Sequence, residues 1–268
     1  MMDIKVLERV FDHAAYVDLN LPAGHHRLFT ALQGSQNSGL SDAESDVDTK
    51  SLTIPSFENL VFNRKRLSTT LEVAPTIEHA DVKDVREMFN CFRKQNINFV
   101  EILFTPYVDV ANGFEEFYQK LYSRREDIAH YNRHQALHAM CGHMMEKYHA
   151  FDHPYPSRMD YINKYGYDPK QLHHQIRFKE FLERYFKDEP YENCMKPLDP
   201  EYLKAVKRGL LPLDEARAMR EELKAWQEKF LAEMHEKIPD QPNEELDKWM
   251  DTLVYEAFMN MYKEKGFR

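Results

Sequence analysis

The chain has 268 residues, 36 Lys+Arg against 45 Asp+Glu, a formal net charge of -9, 43% hydrophobic residues and 30% charged ones. That length builds one large domain or two modest ones with ample core, and the apolar content excludes a disordered chain. No run of about 18 apolar residues occurs, which excludes a membrane-spanning helix on sequence grounds, and the net negative charge argues against a broad electrostatic clamp on DNA while leaving room for a small basic pocket for a phosphate compound.

The opening MMDIKVLERVFDH mixes charged and apolar residues and lacks the uncharged core of a secretory signal. Ile4, Leu7, Val10, Phe11 and Ala14 recur at helical spacing and predict an amphipathic helix over 3–16. A turn at Leu21-Pro22-Ala23-Gly24 follows, then a mostly apolar stretch from His26 to Leu32 that reads as a strand. Residues 33–51, QGSQNSGLSDAESDVDTKS, are the most turn-like part of the chain, and a loop of that length inside a domain usually carries a function. Val85, Met88, Phe89 and Phe92 predict a helix within 84–95, and Phe99–Phe104 is an apolar run that suits a strand or a short buried helix. Beyond Gly113 the pattern is helical almost throughout: 114–122, 133–148, 170–186, 214–236 and 244–265, with breaks at Pro and Gly. The expectation is an α+β chain, with a mixed-sheet domain over 1–112 and an all-helical domain over 113–268. The three cysteines, Cys91, Cys141 and Cys194, are odd in number and far apart; they argue against a disulfide framework or a zinc ribbon and fit a reducing cytoplasm.

The chemistry concentrates at Gly34-Ser35 and at Ser45-Asp46-Val47-Asp48, with Asp81 as a third acidic residue on a short strand that enters the 84–95 helix. In an extended strand residues i and i+2 share a face, so Asp46 and Asp48 would project two carboxylates side by side. Adjacent anions repel, and the usual resolution is a hard divalent cation held by carboxylate oxygens that keeps positions open for phosphate. A third carboxylate from a neighbouring strand completes a two-metal site suited to in-line phosphoryl or nucleotidyl displacement; besides Asp81, the residues Glu72, Asp84 and Glu101 are alternatives for it. A Gly-Ser turn after a strand lets backbone N–H groups approach a polyphosphate. A lone DxD is more often a solvated strand end than a metal site; its company with the Gly-Ser turn raises its specificity.

LQGSQNSGLSDAESDVD resembles the signature of the DNA polymerase β-type nucleotidyltransferase superfamily, in which a GS turn is followed by a short helix and a strand bearing DxD. The similarity is nearest to the predicted bacterial and phage nucleotidyltransferases whose loop reads roughly GSxxxGL and then SDxD. Two further segments match it: Asp81-Val82-Lys83 through Asn96, Asn98 and Phe99–Phe104, and Tyr165-Gly166-Tyr167-Asp168-Pro169-Lys170 with His174 and Arg177, similar to a GYDxKxxxHxxR pattern. The matches spread over about residues 30–180, and the last ~90 residues carry little of them. Ser38 departs from the pattern, which often has an aromatic residue there. The resemblance implies a polymerase β-like catalytic domain, Asp46, Asp48 and Asp81 as catalytic and metal-binding carboxylates for Mg²⁺ (or Mn²⁺), Gly34 and Ser35 holding nucleotide phosphates, an NTP substrate, and transfer of an NMP to an acceptor hydroxyl with loss of pyrophosphate. The acceptor class stays open among RNA or tRNA, a protein and a small molecule, as do the base and the oligomeric state.

Asp168 is a good N-cap and Pro169 suits the first helical position. Lys170, His174 and Arg177 then fall at i, i+4 and i+7 on one helix face, a stripe for nucleotide phosphates or a solvated basic face. His130, His134 and His138 are spaced i, i+4 and i+8 and share a face, with His143 farther along. Such pairs can bind zinc, yet no HExxH occurs and no histidine precedes an aspartate. The pattern reads first as a helix packing on its neighbours with partly exposed histidines. The basic run Arg64-Lys65-Arg66 reads as a solvated loop, and Val254, Tyr255, Phe258, Met259 and Tyr262 as core or a helix-partner face. Two other functions compete with the transferase: a non-catalytic nucleotide- or RNA-binding protein on the same fold, and a metal-dependent hydrolase using the histidine helix.

Overall fold

The computed structural model describes residues 3–42 and 45–264. Helix α1 (Ile4–Asn20) begins at Asp3, whose carboxylate accepts the Lys5 N–H at 2.9 Å, an ordinary N-cap. There follow β1 (His26–Gln33), β2 (Asp48–Ile54), α2 (Phe57–Val61), β3 (Ser68–Val73), β4 (Glu78–Asp84), α3 (Val85–Arg93), α4 (Ile97–Val100), β5 (Val108–Val110), α5 (Glu115–Ser123) and α6 (Arg125–Ala129). The helices α7 (Arg133–Ala150), α8 (Met159–Tyr165), α9 (Pro169–Tyr185), α10 (Tyr191–Met195), α11 (Pro200–Lys207), α12 (Leu213–Lys237) and α13 (Glu244–Glu264) complete the chain. The class is α+β, with a mixed sheet in the N-terminal part and helices after it. Among the described residues no helix is long and apolar enough to cross a membrane.

Two compact units form. The first holds residues through Asn37, Ser41–Asn132 and Pro242 onward; the second holds Ser38–Leu40 and Arg133–Gln241. The division therefore falls after residue 132 and again before 242, not at 112/113. Packing explains the difference. Tyr118 of α5 meets Phe29 of β1 edge-on at 5.3 Å, Phe117 meets Phe89 of α3 at 6.5 Å, and Gln95 Nε2 donates to the Ile128 carbonyl of α6 at 2.8 Å. Helix α13 closes on the same unit through Arg93, which donates to Asp247 and Asp251 at 2.6 Å each.

The sheet of the first unit has the order β3-β4-β2-β1-β5. β2 and β4 run parallel, with Lys50 opposite Asp81, and the other pairs are antiparallel. Strand alternation divides it into two faces. One packs on α1: Val17 sits with Val73, Ala80 and Val82, and Val10 with Leu32 and Val47. The other carries Gln33, Asp48, Lys50, His79, Asp81 and Lys83. The strand expected over 26–32 and the helix over 84–95 are found, while the apolar run 99–104 is the end of α4 and a 3-10 turn over Glu101–Leu103. After Gly34 the chain makes turns through residue 39 rather than the short helix the resemblance implies.

On the α1 side, Glu78 at the start of β4 is 9% exposed. Its carboxylate accepts from Arg9, from His13 Nε2 at 3.0 Å and from the Val47 N–H at 3.1 Å. His13 Nδ1 lies 3.0 Å from the Thr49 hydroxyl. With Nε2–H donating to the carboxylate, Nδ1 accepts from the threonine, and a neutral imidazole satisfies both contacts. Burial accordingly pushes the His13 pKa below 6.5, against the opposing pull of Glu78. Burial alone would raise the Glu78 pKa, but hydrogen bonds from His13 and Val47 and the Arg9 charge hold it below its ordinary value.

Glu78→Ala strips partners from His13, Arg9 and Val47 at once, so it is expected to cost about 2–3 kcal/mol, read as a lower urea midpoint; a midpoint unchanged from wild type contradicts the account. Both folded pKa values lie below their unfolded ones, so the network's contribution is complete above about pH 6.5. It falls first as His13 protonates in the unfolded chain, and then as the pH passes below the depressed Glu78 value. Because Glu78 opposes the lowering of the His13 pKa, urea midpoints taken from pH 7.5 to pH 5 should decline more steeply for Glu78→Gln than for wild type.

Candidate functional site

Val47 fixes the acidic segment. Its N–H is held by Glu78 and its side chain packs on Val10 and Leu32, which leaves Asp48, one residue on, to start β2 on the opposite face. Asp48 Oδ1 accepts the His79 N–H at 3.0 Å and lies 3.6 Å from His79 Nδ1, tying β2 to β4 at the strand end. Asp46 precedes the strand and is exposed; its carbonyl accepts from Gln36 Nε2 at 2.8 Å.

Asp81 shares the face of Asp48 on the adjacent parallel strand, but its oxygens are engaged. Lys50 Nζ lies 2.9 Å from Oδ2 and Lys83 Nζ 3.5 Å from Oδ1. Lys50 is buried, at 4% exposure, and its ammonium also lies 3.9 Å from the centre of the Phe99 ring, a cation–π contact. Lys83 is 5.2 Å from the same ring and donates to Ser68 Oγ at 2.7 Å. Lys50 follows Asp48 by two residues, so period-2 alternation alone places it on the carboxylate face, a signal in the sequence for a residue that no motif marks.

Gly34 has φ +107, a conformation that favours glycine, and a Cβ there would meet nothing within 4 Å. The glycine is thus required by backbone conformation, and open space adjoins it. Its N–H donates to Glu101 Oε1 at 3.1 Å. Glu101 is 4% exposed and enters from the 3-10 turn after α4. Ser35 occupies the turn that the Asn37 N–H closes onto the Gly34 carbonyl at 3.1 Å. Of the other acidic alternatives, Asp84 is fully buried as the N-cap of α3 and pairs with Arg86 at 2.7 Å, and Glu72 lies on β3 opposite His79.

The structure thus brings Asp48 and Asp81 to one face of neighbouring strands, next to the Gly34 turn. It does not converge Asp46, Asp48 and Asp81. Among the described residues, the grouping of three His, Cys, Asp or Glu whose ligand atoms all lie within 4.8 Å of one another is His134, His138 and His235. Carboxylate oxygen suits Mg²⁺ or Mn²⁺, so Asp46, Asp48 and Asp81 fit such an ion in donor type, with Lys50 holding part of the place that a cation would take.

In the second unit, Asp168 is 1% exposed and caps α9 through the Lys170 N–H at 3.0 Å, while Arg158 grips it with two bonds of 2.7 and 2.6 Å. This part of the GYDPK segment is architectural. Lys170 is exposed, whereas His174 and Arg177 are half-buried on the same helix. Burial, followed by the charges of His173, Arg177, Lys170 and Lys147, drives the His174 pKa well below 6.5. His174 is therefore neutral near pH 7, and the positive charge of the stripe expected for nucleotide phosphates resides on Lys170 and Arg177.

No protein-family model matches the chain, and no curated protein matches it. One solved structure to which it is similar is a nucleotidyltransferase-like protein from Exiguobacterium sibiricum 255-15, at 12% identity, covering 84% of this chain and 74% of that one with a TM-score of 0.36.

The parallel register makes Lys50 the partner of Asp81. Lys50→Met should therefore leave Asp81 with Lys83 alone and destabilise the first unit by about 1–2 kcal/mol, measured by thermal or urea unfolding. The double variant Lys50→Met/Asp81→Leu should recover part of that loss, and additive losses would refute the coupling.

Proposed function

We infer that the first unit carries out metal-dependent nucleotidyl transfer. An acceptor hydroxyl oxygen bonds to the α-phosphorus of an NTP, the bond from that phosphorus to the bridging oxygen breaks, the hydroxyl proton is lost and pyrophosphate leaves. The observation that carries this reading is the placement of Asp48 and Asp81 on one face of adjacent parallel strands, with the acidic loop held at Val47 and the open Gly34 turn beside it. Asp46, Asp48 and Asp81 would hold Mg²⁺ or Mn²⁺, and the ion supplies charge stabilisation of the phosphoryl oxygens when bound. Gly34 and Ser35 present the turn to the phosphates, and Lys50 and Lys83 offer positive charge near Asp81. Such chemistry depends more on positioning and electrostatics than on covalent help. The motif resemblance over about residues 30–180 supports the same class.

Two observations favour a second reading, a non-catalytic nucleotide- or RNA-binding protein: Asp81 is paired with two lysines, and the three carboxylates do not converge.

The two readings separate on incubation with each α-labelled NTP, Mg²⁺ or Mn²⁺, and total RNA or cell lysate. Transfer is expected to label one acceptor class, and Asp46→Asn should lower that labelling by about 10³-fold with little change in stability, since Asp46 is exposed. Asp81→Asn should remove labelling as well, at some cost in stability through the loss of the Lys50 ion pair. Full labelling by both variants overturns the metal assignment. Metal-dependent thermal protection by an NTP without any labelled product would support the binding reading.

A further inference from the structure

The histidines of the second unit stand outside the proposed transfer reaction. His134 and His138 lie one turn apart on α7, and His235 lies near the end of α12. The two helices are packed together, with Gln227 of α12, itself 3% exposed, donating to the Cys141 carbonyl of α7 at 2.9 Å. Ala136, Leu137 and Met140 of α7 and Leu223 of α12 are buried in the same unit. At its outer edge, His235 Nδ1 lies 3.0 Å from His134 Nε2 and 3.0 Å from His138 Nε2. The three rings sit 4.6 to 5.2 Å apart, centre to centre.

Three imidazoles in this arrangement cannot satisfy one another. A neutral ring nitrogen carries either one proton or one lone pair, so His235 Nδ1 completes one linear N–H···N bond and leaves its second close contact mismatched. Protonating a ring would place a charge against two neighbours. A cation among the three removes the conflict, because each ring can then offer it a lone pair and none has to donate to another. The spacing suits that solution. Zinc–imidazole bonds of about 2.0–2.1 Å in a tetrahedron set neighbouring nitrogens about 3.3 Å apart, within a few tenths of an ångström of both 3.0 Å contacts. The i, i+4 pair supplies two ligands from one rigid helix and the partner helix supplies the third.

We propose that His134 Nε2, His138 Nε2 and His235 Nδ1 form a binding site for one zinc-class divalent transition-metal ion, with its remaining position open to solvent. Imidazole nitrogen selects Zn²⁺, Co²⁺ or Ni²⁺ over Mg²⁺, so this ion differs from the one assigned to the carboxylates, and the site stands whether or not the transfer reaction does. His138 and His235 are exposed and His134 is half-buried, which gives an entering ion a short path. In effect the ion would pin the end of α12 to the start of α7.

The test uses the full untagged chain, stripped with a chelator and titrated with Co²⁺ while the visible absorption is followed, then with Zn²⁺ in competition. One equivalent of Co²⁺ should bind with the spectrum of a nitrogen-ligated ion, and Zn²⁺ should displace it. Zn²⁺ should raise the melting temperature of the wild type but not of the triple variant His134→Gln/His138→Gln/His235→Gln. Single variants His138→Gln and His235→Gln should each weaken binding by about 100-fold or more, and His149→Gln, an exposed histidine on the same helix, should leave it unchanged. Circular dichroism confirms that the variants, altered at the surface, retain their helices. Binding by the triple variant as tight as that of the wild type, or an equal loss in His149→Gln, overturns the site.

Discussion

The first unit depends on one buried carboxylate. Glu78 stands at the start of β4, takes hydrogen bonds from α1 through Arg9 and His13, and holds the Val47 N–H at the entry to β2. Three segments distant in sequence are thereby fixed on one anion. An ionised group so poorly exposed is costly unless its lone pairs are filled, and here a cation, a neutral imidazole and a backbone amide fill them. The side of the sheet that holds this network is dry and structural. The opposite side, set by the same strand alternation, carries Asp48, Lys50, Asp81 and Lys83.

That separation of faces lets a charged surface sit on a stable sheet. The charged face keeps its own charges balanced: Lys50 is held against Asp81 and Phe99, and Asp48 is tied to the backbone of β4. Because ammonium groups neutralise Asp81, the sheet does not need a bound ion in order to fold. The metal binding proposed there would be a step taken by a folded protein, unlike sites whose ligands are brought together only by the ion.

Much of this architecture was legible. Helical spacing located α1 and α3, and the Asp168 cap with Pro169 located α9, because apolar stripes and cap residues are local signals. Asp81 was placed on a strand entering a capped helix, and β4 runs into Asp84 as that pattern indicates. The weak points are non-local. β3 is polar and mostly exposed and β5 is three residues long, so neither leaves an alternating apolar pattern to read. The first unit's reach into α5, α6 and α13 depends on contacts such as Arg93 with Asp247, 154 residues away. At the candidate site, the residue types at 34, 46, 48 and 81 could be picked out by motif. The ion pairs of Asp81 and the Glu101 bond to Gly34 could not, since they arise from strand register and chain folding. His235 is farther from recognition still: it lies 101 residues from His134 and no spacing rule connects them.

The return of α13 to the first unit has a consequence for how the chain is made. The Asn243 N–H donates to the Tyr131 carbonyl at 2.9 Å, so the points where the chain leaves the first unit and re-enters it lie side by side. The second unit is an insertion within the first. A ribosome delivers chain from the N-terminus, and domains generally fold as units during synthesis. The sheet would emerge early, yet Leu246, Met250 and Leu253, which complete its unit's core, arrive only after the whole of α7–α12. The intervening helices can acquire their structure while the first unit still exposes the apolar surface that α13 will cover. Aggregation risk during synthesis is therefore concentrated in that interval, and the speed with which α7–α12 are translated sets its length.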